Sequence, residues 1–254
     1  MEYFVEQHSV VKKIWGKSDT VLFIFAGAAA EFALNKAVDW LYFTGKLPKD
    51  PLGRLFSTVR YAKMIVFAPK QEAHRAIENM RKIHTAVEQK RGATIPDWAY
   101  RDVLFMLIYY SIAAYELLER KLNEKEKEEV YNVFYRVGKG MGLKDLPQNY
   151  LAWLPARKAH LVNDLEKSDL TTDLFKQYKK HLGPGRYKML LEAQKLVVPC
   201  EVKEMLHYKR YSWLKPVVPL YKLSRWVKLD RLIKSILLPA QYKTQINQLD
   251  VYTA

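Results

Sequence analysis

The chain has a single cysteine, Cys200, among its 254 residues. An internal disulfide and a zinc site built from thiolates are therefore excluded, and the composition fits a reducing compartment. The two most apolar runs, residues 21–30 and 103–114, fall well short of the roughly 20 residues that a membrane-spanning helix needs. The N-terminus lacks the apolar core and the small-residue cleavage site of a signal peptide. We therefore expect a cytoplasmic protein.

Several common catalytic motifs are also missing. The sequence contains no P-loop, no dinucleotide-binding glycine fingerprint, no H-E-x-x-H pair and no G-x-S-x-G elbow. Sustained period-2 alternation and Asn-Gly or Asp-Gly hairpin turns are lacking, so strands have little support. No Gly/Ser/Pro-rich linker and no internal repeat divides the chain. These absences predict one all-α domain over residues 1–254.

Acidic residues are few relative to basic ones. There are 27 Asp and Glu against 42 Lys and Arg, which gives a formal net charge of +15. The excess is concentrated in residues 201–243, where three acidic residues accompany ten basic ones: Lys203, Lys209, Arg210, Lys215, Lys222, Arg225, Lys228, Arg231, Lys234 and Lys243. This region favours an anionic partner, such as a membrane surface touched peripherally. No specific nucleic acid is expected because no binding module is recognisable, and a solvated basic helix face is the simpler explanation of the charge.

Start and stop signals predict five helices in the first 150 residues. They begin at Ser18 or Asp19, at Asp50 followed by Pro51, at Pro69, at Asp97, and at Asn123, where Glu126 completes a capping box. The first is expected to reach about Thr44, the third to close near Arg91 and Gly92, and the fourth to reach about Leu122. Beyond Pro147, prolines should divide shorter helices, and the "HLGPGRY" segment should form a turn.

Periodicity distinguishes the two histidines of the third predicted helix. Apolar positions recur at steps of three and four and include His84: Ala73, Ile77, Met80, His84 and Val87. His84 should therefore face the core, whereas His74 should be exposed. A buried imidazole needs hydrogen-bond partners, or it can ligate haem iron. From the pattern alone, a histidine with satisfied hydrogen bonds is the commoner case.

Arg54 and Thr58 lie one turn apart on the second predicted helix. Together they can hold a carboxylate, a haem propionate or a bound oxygen species. Spacing alone favours the alternative that Arg54 pairs with a structural carboxylate. Glu31, inside an apolar run of the first helix, is a candidate general base or Arg54 partner. Asp39 lies two turns further on and competes for that role, and a plain structural salt bridge of Glu31 stays open.

Four segments follow one another in a characteristic order: "DPLGRLFSTVRYAKMIVF", "AHRAIENMRKIHTAV", "VLFMLIYYSIAAYELLERKL" and "NEKEKEEVYNVFYRVGKGMGL". They resemble the catalytic domain of the MpaB/rubber-oxygenase family, which includes latex-clearing protein and was formerly called DUF2236. The resemblance covers roughly residues 15–154 and is looser over the last hundred residues. It implies an all-α, globin-related fold, a b-type haem, and cleavage of carbon–carbon double bonds of isoprenoid chains with dioxygen.

The resemblance also implies roles for individual residues. The family's R-x-x-H motif falls on Arg81 and His84, which makes His84 the iron ligand. The R-x-x-x-T motif falls on Arg54 and Thr58, which border the distal side of the haem. The lysine that rubber oxygenases carry three residues after that arginine is Ser57 here, so a lysine-capped haem is not expected.

We therefore expect a haem-b oxygenase that acts with dioxygen on an elongated hydrophobic substrate. His84 would bind the iron, with Arg81 in the same cofactor-binding motif. Arg54 and Thr58 would orient dioxygen or a propionate, and Glu31 would act as acid/base or anchor Arg54. The alternative is a non-enzymatic helical protein that binds haem or lipid and touches an anionic membrane through its basic C-terminal region.

Overall fold

The computed structural model describes residues 2–226, and this part of the chain forms helices but no β-strand. The all-α prediction is therefore confirmed. Residue 1 and residues 227–254 lie outside the described residues. The basic positions Lys228, Arg231, Lys234 and Lys243 are among these residues.

Twelve helices are formed within residues 2–226. They are α1 (Val10–Trp15), α2 (Ser18–Phe32), α3 (Asp39–Phe43), α4 (Lys46–Lys49), α5 (Pro51–Val66), α6 (Lys70–Arg91), α7 (Asp97–Leu118), α8 (Glu124–Met141), α9 (Tyr150–Asn163), α10 (Asp169–Val197), α11 (Cys200–Met205) and α12 (Val217–Trp226).

Local signals set several helix ends as predicted. The side chain of Asp50 accepts a hydrogen bond from the backbone nitrogen of Gly53 at 2.8 Å, which caps α5. Asn123 and Glu126 form the reciprocal capping box in front of α8. Gly92 ends α6 with a φ of 68°, in the left-handed region that glycine tolerates best.

The first long helix ends earlier than predicted. α2 stops at Phe32 instead of continuing to about Thr44, because the side chain of Asn35 holds a turn that leads into α3. Its Oδ1 accepts from the backbone nitrogen of Ala37 at 2.8 Å, and its Nδ2 donates to the buried Oδ2 of Asp102 at 3.0 Å. A contact with a distant helix therefore overrides the continuous helical pattern.

The prediction that prolines divide the second half of the chain is wrong at Pro155, which lies inside α9. Pro155 is exposed, so water can satisfy the carbonyl that lacks its usual donor. At Pro184 the chain does bend, because the preceding Gly183 has a non-helical φ of 74°. The predicted turn thus exists, but as a kink between two helical segments of α10.

Helix α7 is central, as its apolar composition indicates. Tyr110 is fully buried against α2, and Gly27 on α2 allows this close approach. A Cβ atom at position 27 would lie 2.2 Å from Cε1 of Tyr110. The indole nitrogen of Trp15 on α1 donates to Oγ of Ser111 at 3.2 Å, so α7 also fixes the first helix. The helix ends at Leu118, four residues before the predicted Leu122.

Candidate functional site

Arg54 and Thr58 make contacts mainly within their own helix, α5. Nη1 of Arg54 donates to Oγ of Ser57 at 3.1 Å. The hydroxyls of Ser57 and Thr58 both donate to the backbone carbonyl of Arg54, at 2.7 and 3.2 Å. Within residues 2–226 no carboxylate pairs with Arg54, so the predicted pairing with Glu31 or with another structural carboxylate is wrong. Most N–H groups of the Arg54 guanidinium therefore have no hydrogen-bond acceptor within these residues.

His84 on α6 lies close enough to Arg54 for the two side chains to interact electrostatically. Its ring is half-buried and packs edge-on against Tyr100 of α7, with the ring centroids 5.1 Å apart. Nδ1 of His84 is buried and has no hydrogen-bond partner in the described part of the chain. Burial, together with the positive charge of Arg54, lowers the pKa of His84. The imidazole is therefore neutral near pH 7, the form in which histidine ligates metals.

The other residues of the predicted cofactor helix behave differently. His74 is exposed, as predicted, and packs edge-on against Phe4 with the ring centroids 5.7 Å apart. Arg81, one turn before His84, is exposed. Arg81 therefore shares the sequence motif with His84 but lies on the solvent side of the helix.

Glu31 belongs to a different cluster, which is fully buried. Both of its carboxylate oxygens accept hydrogen bonds from the guanidinium of Arg157 on α9. The hydroxyl of Tyr110 donates to the same carboxylate at 2.8 Å, and Nε2 of His160 lies 3.1 Å from it. Burial by itself would raise the pKa of Glu31, but Arg157 and His160 lower it. Glu31 is thus ionised and held in place by three side chains, and its role as a general base stays a prediction.

Asp39, the alternative to Glu31 as acid/base or as partner of Arg54, is also paired with another side chain. It pairs with Arg91 at the end of α6, with Oδ2 and Nη2 2.6 Å apart. The guanidinium of Arg91 lies over the ring of Trp40 at 4.0 Å from its centroid. This pair is partly exposed to solvent, so it joins α3 to α6 without being buried.

His160 was not identified from the sequence, although it is the centre of the buried cluster. Its Nδ1 lies 2.8 Å from Oδ1 of Asp102 and 3.3 Å from Oδ2 of Asp164. Burial disfavours the charged imidazolium, but the contacts with Asp102 and Glu31 raise the pKa of His160 to about 9. The ligand atoms of Asp102, His160 and Asp164 all lie within 4.8 Å of one another, close enough for a metal ion. Without a metal ion, a protonated His160 explains the same contacts with Asp102 and Asp164.

A signal for this cluster was present in the sequence. Trp153, Arg157, His160 and Asp164 recur at steps of four, three and four, the spacing of one helix face. An arginine and a histidine on the same face as a tryptophan indicate a buried polar cluster, but the pattern does not show which carboxylates complete it. Glu31 and Asp102 come from α2 and α7, far away in sequence.

A cavity of about 590 Å³ lies between α7, α9 and the end of α10. Apolar side chains such as Ile112, Leu154 and Val197 line it together with Tyr109, Trp153 and Arg157. It is lined in part by the central helix α7, and the charged side chains of Glu116, Lys121 and Lys127 also line it. His84, Arg54 and Thr58 are not among its lining residues. Within residues 2–226, no helix combines the length and the apolar character needed to cross a membrane.

Comparison with known proteins identifies the family. Residues 14–231 match the family model described as "ER-bound oxygenase mpaB/B'/Rubber oxygenase, catalytic domain". The match continues well beyond residue 154 and so includes α9, which carries Arg157 and His160 of the buried cluster, and α10, whose end lines the cavity. Neither a curated protein nor a solved structure shows significant similarity to the chain. Because the matched segment spans most of the sequence, the chain belongs to the mpaB/B'/rubber-oxygenase catalytic-domain family of oxygenases.

Proposed function

We propose that the chain is a haem-b-dependent oxygenase that uses dioxygen to oxidise an elongated hydrophobic substrate. The family supports the reaction class. The observation that carries the haem assignment is the buried Nδ1 of His84, which has no hydrogen-bond partner within the described residues. A buried nitrogen without a partner calls for a bound group or an ordered water, and the neutral imidazole is the form that ligates metals.

The residues near His84 fit a haem. His84 would hold the iron through its imidazole. Within residues 2–226 the Arg54 guanidinium donates only one hydrogen bond, to Ser57. Its remaining N–H groups can therefore bind a propionate or an oxygen ligand. Thr58 can join them only if its hydroxyl leaves the carbonyl of Arg54. When bound, the haem supplies the activation of dioxygen, while the protein supplies the imidazole, the positive charge and the position of the substrate.

The test is the absorption spectrum of the purified protein, as isolated and after addition of haem. We expect a Soret band that is lost in His84→Ala. The matched control is His74→Ala, which removes an exposed histidine from the same helix and should keep the band. Circular dichroism confirms that both variants retain their helices. If neither preparation of the wild-type protein shows a Soret band, the haem assignment is wrong.

The hydrogen bonds of Glu31 favour a second function. The residue proposed as acid/base is bonded to Arg157, Tyr110 and His160, an arrangement typical of a structural ion pair. A non-enzymatic helical protein that holds haem or lipid needs no free base. Protein that remains colourless with added haem and copurifies with lipid would favour this alternative over the oxygenase.

A further inference from the structure

The last helix of the described chain, α12, turns its apolar side outward. Val217, Leu220 and Leu223 recur at steps of three along this helix and therefore share one face. Their side chains are 40%, 67% and 65% exposed. A surface helix normally buries such an apolar stripe. Single exposed apolar residues are ordinary, but several on one face mark an interaction site.

Polar side chains of α12 hold it in this orientation. The hydroxyl of Tyr221 donates to Oδ2 of Asp19 in the first turn of α2 at 3.0 Å, and Asp19 is buried. Nζ of Lys222 donates to the backbone carbonyl of Glu119, directly after α7, at 3.4 Å. Turning the helix to bury its apolar stripe would break both hydrogen bonds. The exposure of the stripe is therefore a property of the fold.

Two aromatic side chains in the segment before α12 are also exposed. Tyr211 and Trp213 are 61% and 42% exposed, and they flank Ser212, which is buried. The hydroxyl of Ser212 donates to the backbone carbonyl of Glu192 on α10 at 3.0 Å, so the segment is anchored between the two rings. Backbone hydrogen bonds form turns that lead directly from this segment into α12. Tyrosine and tryptophan are enriched at the boundary between water and a lipid membrane.

The charge of this part of the chain has one sign. Residues 205–226 contain five Lys and Arg residues and no Asp or Glu. Three of the five, Lys209, Arg210 and Lys215, are exposed. Basic side chains beside an apolar stripe complement an anionic lipid surface, because they attract the headgroups while the apolar side chains enter the acyl boundary. A protein partner would have to supply a groove that matches these projecting side chains, whereas a lipid layer needs none.

We propose that this C-terminal face docks on an anionic membrane surface as a peripheral contact. Its apolar members are Tyr211, Trp213, Val217, Leu220 and Leu223, and Lys209, Arg210 and Lys215 meet the headgroups. The proposal goes beyond the charge of the sequence, because it assigns the contact to side chains whose exposure the structure shows. It is independent of the haem assignment, since vesicle binding and the absorption spectrum are measured separately.

Co-sedimentation of the full-length protein with lipid vesicles tests the proposal. Vesicles with about 30% phosphatidylserine in phosphatidylcholine should bind the protein about tenfold more tightly, or better, than pure phosphatidylcholine, because each basic side chain at the surface adds attraction. Salt at about 0.5 M should remove most of this difference. Equal binding to both vesicles would overturn the proposal. Binding to neither would also overturn it, as expected if residues 227–254 of the chain cover this face.

A double variant assigns the binding to α12. Leu220→Ser/Leu223→Ser removes two side chains that insert into the lipid and should weaken binding to anionic vesicles by about tenfold or more. Because both positions are exposed, the fold should persist, which circular dichroism checks. The matched control is Leu151→Ser/Val162→Ser on α9, where the side chains are 68% and 63% exposed, and it should bind like wild type. An equal loss in both double variants, or no loss in the first, contradicts the proposal.

The charged residues and a possible second copy are tested in the same way. Replacing Lys209, Arg210 and Lys215 together by Gln should remove most of the preference for anionic vesicles. The same replacement of three exposed lysines of α10, Lys176, Lys179 and Lys180, should leave that preference unchanged, and the opposite pattern contradicts the proposal. Size-exclusion chromatography identifies the competing occupant. A wild-type dimer that Leu220→Ser/Leu223→Ser dissociates would assign this face to a second copy of the chain and overturn the proposal.

Discussion

His160 should make the stability of this protein fall as the pH rises. Its imidazole is 3% exposed and lies between the carboxylates of Glu31 and Asp102, which raise its pKa to about 9. In the unfolded chain the pKa of a histidine is about 6.5. Between these two values the folded protein keeps a proton that the unfolded chain has lost. Raising the pH through this window therefore favours unfolding.

The magnitude follows from the difference between the two pKa values. A shift of about 2.5 units, at 1.36 kcal/mol for each unit, corresponds to roughly 3 kcal/mol of unfolding free energy. This stabilisation is fully present below about pH 6.5 and is lost as the pH approaches 9. A contribution of this size is a large fraction of the 5–15 kcal/mol typical of a folded domain.

Urea unfolding followed by circular dichroism measures the effect at intervals between pH 6 and pH 10. We expect wild type to exceed His160→Gln in stability by roughly 3 kcal/mol at pH 6 and the two to converge near pH 9. Other titrating groups are common to both proteins and cancel in the difference. His74→Gln, a substitution on the exposed face of α6, should follow wild type. A difference between wild type and His160→Gln that stays constant from pH 6.5 to 9 would refute the reasoning.

Two further predictions concern the packing of α2. Glu31→Gln leaves the buried guanidinium of Arg157 without its counter-charge and should lower the unfolding free energy by about 3–5 kcal/mol, whereas Asp39→Asn, at a partly exposed pair, should cost about 1 kcal/mol or less in the same urea titration. Gly27→Ala places a methyl group 2.2 Å from the ring of Tyr110 and should destabilise the protein by about 1–3 kcal/mol. Gly185→Ala is its control, since nothing lies within 4 Å of the added Cβ, and its melting temperature should be unchanged or higher. Equal melting temperatures for the two glycine variants would contradict the packing of α2 on α7.

Features that depend on neighbouring residues could be predicted from the sequence. Asp50 caps α5, and the Asn123–Glu126 pair caps α8, because a capping side chain reaches a backbone group only two or three residues away. Periodicity likewise placed His74 on the solvent side of α6, because residues three and four apart share a helix face. The all-α class follows from the same local patterns.

Pairings between distant residues were decided by the tertiary structure. The sequence indicated that Glu31 needs a partner but pointed to Arg54, whereas the carboxylate binds Arg157, 126 residues away. The end of α2 depends on a hydrogen bond between Asn35 and Asp102, 67 residues apart. The sequence by itself determined which side chains must find a polar partner when they are buried. Which partners they find depends on how α2, α7 and α9 pack, because a helical pattern fixes the faces of one helix and carries no information about the helix that lies against it.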